Sequence, residues 1–132
     1  MSVSRKGKRP ISVDGRRYLW WVSQDWEPPY VPSNGTSLTI VDASGEFGVE
    51  YHVGQPPDVR HLVVKGRRFR VSGCGGPHRR FRCPIAVDGP AITAATVAEV
   101  IRWATTRGED PVEVNYLGLP LPQAPASANE EP

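Results

Sequence analysis

The stretch "SGCGGPHRRFRCP", Ser72 to Pro84, holds two cysteines, a histidine between them, a run of glycines, and Arg79, Arg80 and Arg82. Cys74, His78 and Cys83 are spaced C-x3-H-x4-C. A structural zinc takes four ligands, commonly with a close C-x2-4-C pair. This segment lacks that pair, so a fourth ligand would have to be His52, His61 or an acid brought in by the fold. A disulfide needs the two cysteines to face each other across neighbouring strands, and a reducing compartment opposes it. A catalytic thiol at Cys74 needs a base, and His78 is near it in sequence; glycine amides can supply oxyanion donors. The plainer reading is a glycine-rich connection into a basic strand, with both cysteines free. Cys83 is then expected buried beside Phe81, and Cys74, in the loop, more exposed than Cys83, with Arg79 or protonated His78 able to lower its pKa.

Other catalytic signatures are missing. There is no G-x-x-x-x-G-K-[ST] loop, no G-x-S-x-G and no H-E-x-x-H, and the acids are scattered singly. His52 and His61 read as ordinary polar positions in or beside strands. No cofactor or metal is expected, and an enzymatic role is not favoured.

Charge is more informative by distribution than by sum. The formal net charge is only +2, yet Val59 to Val87 carries Arg60, Lys65, Arg67, Arg68, Arg70, Arg79, Arg80 and Arg82 with no Asp or Glu. A block of one sign attracts phosphate or an acidic protein. The bland alternative is a solvated hairpin balanced by Glu46, Glu50 and Asp58. Strict alternation puts Arg68, Arg70, Arg80 and Arg82 on one side, and Phe69 and Phe81 on the other. Aromatic residues then fail to interleave with the arginines, which suits phosphate contact without base stacking.

These residues need elements to hold them. The 132 residues suit one domain, and 14 prolines with 13 glycines imply many turns. Residues 1–10 read as a flexible basic arm, 11–119 as one domain, and 120–132 as a disordered Pro/Ala-rich acidic tail. Asp14-Gly15 predicts a hairpin of Ile11–Val13 with Arg16–Val22. The segment "SQDWEPPYVPSNGTS" reads as a loop, with Trp26 and Tyr30 as a lid over one edge of the core. Ser37–Asp42 and Glu46–Val53 predict a second hairpin, with Phe47, Val49, Tyr51 and Val53 on one face. "HLVVKGRRFRVSG" predicts a third, turning near Lys65-Gly66, and "HRRFRCPIAV" a returning strand. "TAATVAEVIRWATTRG" predicts a helix capped by Thr93 and ended by Gly108, with Val97, Val100, Ile101 and Ala104 buried. "PVEVNYLG" is β-prone and can add a last strand.

The expected fold is therefore α+β: an antiparallel sheet of successive hairpins with one C-terminal helix on one face. The basic N-terminus lacks an apolar core of its own, so no secretory signal is expected, nor a membrane helix; cytoplasm is the expected setting. The expected function is a small non-catalytic interaction module. It would bind an acidic protein partner through Lys65, Arg67, Arg68, Arg70, Arg79, Arg80 and Arg82. The alternatives are nucleic-acid binding through the same residues, and a cysteine-dependent enzyme using Cys74.

Overall fold

A computed structural model describes residues 7–24, 36–76, 78–87 and 92–121. Seven strands form one sheet in the order of the chain: β1 (Arg9–Val13), β2 (Arg16–Gln24), β3 (Thr36–Asp42), β4 (Gly48–His52), β5 (His61–Val64), β6 (Arg79–Arg82) and β7 (Glu113–Val114). Every neighbouring pair is antiparallel. Among the described residues there is one α-helix, α1 (Ala94–Thr105), between β6 and β7 in sequence, and a short 3-10 turn at Pro57–Val59. The architecture is the expected α+β class, and the strand order makes it a meander.

The first hairpin follows from its turn. Asp14 and Gly15 both take positive φ, 50° and 81°, as a two-residue turn matched to strand twist requires. Val13 then pairs with Arg16, and Ile11 with Tyr18. β1 begins at Arg9, inside the stretch expected to be a free arm. β2 runs through Gln24 and β3 starts at Thr36, so strand pairing takes up both ends of the expected loop. Trp26, Tyr30 and Asn34-Gly35 lie outside the described residues, as do most of the arm and the tail beyond Leu121.

The β3–β4 turn is longer than alternation suggests. The Asp42 carboxylate accepts from the Phe47 amide (3.2 Å) and the Ser44 hydroxyl (3.0 Å), and this Asx-type turn delays β4 to Gly48. Phe47, Val49, Tyr51 and Val53 are all buried, as expected.

The third expected hairpin does not form. After β5 the chain does not fold back at Lys65-Gly66. Lys65 N donates to Gly48 O (2.7 Å) and Arg68 N to Glu46 O (2.8 Å), so the segment stays beside the start of β4. Gly66 permits this approach, since a Cβ there would lie 2.3 Å from the Glu46 carbonyl oxygen. The partner of β5 is β6, with Leu62 opposite Phe81 and Val63 opposite Arg80. Hydrogen bonding to β4 outweighs the local turn signal, and the glycine lies where two backbones meet.

The core fills one sheet face beneath α1. Tyr18, Trp20, Leu38, Ile40, Val49, Leu62 and Phe81 meet Val97, Val100, Ile101 and Ala104 there. All four predicted helix positions are fully buried. Thr93 caps the helix, accepting from Thr96 N at 3.3 Å. The helix ends at Thr105, short of Gly108. Thr105 and Thr106 hydroxyls donate to the carbonyls of Ile101 (2.8 Å) and Arg102 (2.6 Å). Arg70 N takes the Ala104 carbonyl (2.8 Å), and its guanidinium takes that of Trp103 (3.2 Å). With these carbonyls satisfied, no left-handed glycine is needed.

Candidate functional site

Intramolecular pairing sorts the basic block. Lys65 Nζ lies 2.7 Å from Glu50, and Arg67 Nη2 lies 3.0 Å from Glu46. Arg79 grips Glu113 with two parallel bonds, 3.1 and 2.9 Å. That fork holds the Glu113 carboxyl below the usual carboxylate range. Arg68 donates to Tyr18 Oη (2.7 Å) and lies 3.5 Å from the buried Asp42 carboxylate, with its guanidinium 5.2 Å from the Phe47 ring. Burial alone would raise the Asp42 pKa. The Phe47 amide, the Ser44 hydroxyl and the Arg68 charge outweigh burial and lower it.

Arg70 and Arg82 bond to neutral groups instead. Arg70 donates to the carbonyls of Trp103 and Glu109 (3.2 and 2.7 Å) and lies 5.0 Å over the Trp103 ring. Arg82 donates to the Gly118 carbonyl (2.9 Å). A carbonyl satisfies a donor but leaves the charge uncancelled. Arg80 sits between Val63 and Val114, with no acid paired to it among the described residues.

The expectation of four arginines on one sheet face is therefore corrected. Only Arg80 and Arg82 hold strand positions, opposite in side to Phe81. Arg68 covers the turn between β3 and β4, and Arg70 closes the C-terminal end of α1. The reason is that residues 65–73 carry no strand, so alternation does not govern them.

Arg70 and Arg82 nevertheless converge. They line an open cleft of about 500 Å³ together with Arg60 and Trp103. Pro57, Pro84, Pro111 and Val112 form its apolar walls, and Glu109 and Asp110 also border it. Arg60 belongs to the basic block but has no alternation partner there, and Trp103 flanks the buried helical stripe rather than lying on it. Neither is singled out by spacing alone.

The cysteine segment behaves otherwise than its spacing suggests. Cys74 is only 9% exposed and Cys83 2%; neither is in a disulfide. Burial raises the Cys74 pKa more than Arg79, with Nη1 3.9 Å from the sulfur, can lower it. Cys74 is more exposed than Cys83, as expected, but the expected lowering of its pKa is corrected: the loop folds its sulfur inward, while His78 stays exposed. Burial pushes the Cys83 thiol up to about 12. Among the described residues no three His, Cys, Asp or Glu side chains converge as metal ligands.

His61 is not an ordinary strand position. It is fully buried, with Nδ1 2.8 Å from the Val59 carbonyl and Nε2 without a partner among the described residues. Burial lowers its pKa, and the Arg80, His52 and Arg82 charges add to that. The ring is therefore neutral, with its proton on Nδ1. The buried Gln55 amide joins the carbonyls of His52 and His61 (both 2.8 Å).

No protein-family model, curated protein or solved structure matches this chain. Among the described residues, no helix is long and apolar enough to cross a membrane.

Proposed function

We propose that the chain is a non-catalytic interaction module that binds an acidic protein partner. The observation that carries this reading is the convergence of Arg60, Arg70 and Arg82 on one cleft, two of them bonded to carbonyls rather than acids. Lys65, Arg67, Arg68 and Arg79 contribute less to the external field, because Glu50, Glu46, Asp42 and Glu113 offset them. Guanidinium forks suit carboxylates, and ones already held in place lose little entropy on binding. A nucleophilic Cys74 is disfavoured by its burial and raised pKa.

The test is a titration of the full chain with poly-glutamate and, separately, with a single-stranded oligonucleotide, each over a salt series. Saturable poly-glutamate binding that weakens in Arg82→Gln supports the reading. Tighter oligonucleotide binding with a steep salt slope would replace it with nucleic-acid recognition. Binding to neither of these, nor to a short peptide carrying a carboxylate, would overturn it.

A further inference from the structure

We infer that the cleft takes a single carboxylate carried beside an apolar side chain, as an acidic peptide with Asp or Glu next to Leu or Pro would present it. This rests on the proposed function and names the class of segment bound.

Two features of the cleft limit its ligand. The first is charge placement. Arg60, Arg70 and Arg82 draw an anion in, but Glu109 and Asp110 border the same cleft and are exposed. A run of closely spaced anions meets those carboxylates as well as the arginines and is repelled there. One carboxylate avoids that conflict. The positive groups are also held for it. Arg70 is fixed by two carbonyls and a ring face, and Arg82 by the Gly118 carbonyl.

The second feature is the apolar wall. Val112 is 49% exposed beside Pro111 and the half-buried Trp103. Arg70 lies over the Trp103 ring, so the charged and apolar halves of the cleft adjoin. A volume of about 500 Å³ is in the range of sites that enclose small groups. A partner that brought only charge would leave Val112 and the prolines wet. A leucine or proline next to the carboxylate would cover them, and burying apolar area is favourable.

The experiment uses the full chain and three capped peptides, with binding followed by NMR at the Trp103 indole and Val112 methyl resonances. The probes are acetyl-Leu-Asp-Leu-Pro-amide, its Asp→Asn counterpart, and acetyl-Asp-Asp-Asp-Asp-amide. The first is expected to shift both resonances. The Asn peptide should bind about tenfold more weakly, the cost of one charge-assisted contact. The all-Asp peptide should also bind more weakly than the first. Arg70 closes the helix, so it is a poor test residue. Arg82→Gln should weaken both charged peptides while keeping the melting temperature near wild type. Val112→Ser, at an exposed position, should weaken both leucine peptides and leave the all-Asp peptide unchanged. Equal or tighter all-Asp binding, or peptide binding that leaves the Trp103 and Val112 resonances unmoved, would overturn the inference while leaving the proposed function standing. So would poly-glutamate binding without any peptide binding. Failure of poly-glutamate and of all peptides would remove both.

Discussion

The Arg70 guanidinium lies 5.0 Å over the Trp103 ring and donates to the Trp103 carbonyl at 3.2 Å, while the Arg70 amide takes the next carbonyl, that of Ala104. One residue thereby closes the last turn of α1 and places a positive charge where the helix dipole is negative. Arg70→Ala is expected to lower stability by about 2 kcal/mol, through lost charge-assisted bonds and ring contact. Arg70→Lys should recover less than half, because an ammonium cannot span both carbonyls and cover the ring. Urea unfolding measures both. Full recovery by Lys would mean that charge alone matters at this helix end.

Arg68 and Arg67 are neighbours with different weights. Arg67 meets Glu46 in the open, whereas Arg68 meets an Asp42 carboxylate that is almost wholly buried. Arg68→Ala should cost roughly 1–3 kcal/mol, since it leaves a buried carboxylate short of a donor. Arg67→Ala should cost at most about 1 kcal/mol, as exposed pairs do. Similar unfolding free energies for the two variants would refute the assignment.

His61 predicts acid sensitivity above the carboxylate range. Folding lowers its pKa from the ordinary 6.5, so in mildly acid solution the unfolded chain holds the extra proton. Stability therefore falls as pH drops below about 6.5, and levels off below the native pKa. Asp42 and Glu113 have lowered pKa values and act in a separate, more acid window. Their stabilisation is full above their ordinary values and is lost as pH falls through the native ones. Melting temperatures measured from neutral to mildly acid pH should show a slope for wild type and a flatter one for His61→Asn, whose amide can replace the Nδ1 donor. An unchanged slope would assign the titration elsewhere.

The two thiols should react slowly and in order. With a pKa of about 12, Cys83 is thiolate in only about one molecule in ten thousand at pH 8. Cys74 is more exposed and has Arg79 against its sulfur. A thiol reagent should modify Cys74 first in native protein, and both cysteines quickly in denaturant. Equal native rates that match the unfolding rate would mean that a global opening exposes both.

Much of this protein is legible in its residues because the governing forces are local. Asp14-Gly15 sets its own turn, Thr93 caps its own helix, and the spacing of Val97, Val100, Ile101 and Ala104 buries one stripe. Alternation from Phe47 to Val53 names the core side of β4 before any partner strand is known. The basic block is likewise visible as a run of residue types. Glu46 and Glu50 can be named from the sequence as balancing acids, and they do pair with Arg67 and Lys65; that Asp42 and Glu113 join them, and which charges are left uncancelled, is not visible, because those contacts arise only through strand register and long-range packing. The third hairpin failed for a similar reason: Lys65-Gly66 reads as a turn, but two hydrogen bonds to Gly48 and Glu46 hold it beside β4. Without a strand directly after Val64, alternation cannot place Arg68 or Arg70, and packing sends one to Asp42 and the other to the end of α1. The cleft joins Arg60, Arg70, Arg82 and Trp103 from separate parts of the chain. Sequence determined the first two hairpins, the helix and their buried faces; only the tertiary structure decided where the chain runs after Val64, and which arginines meet acids and which meet carbonyls, because that depends on distances between residues far apart along the backbone.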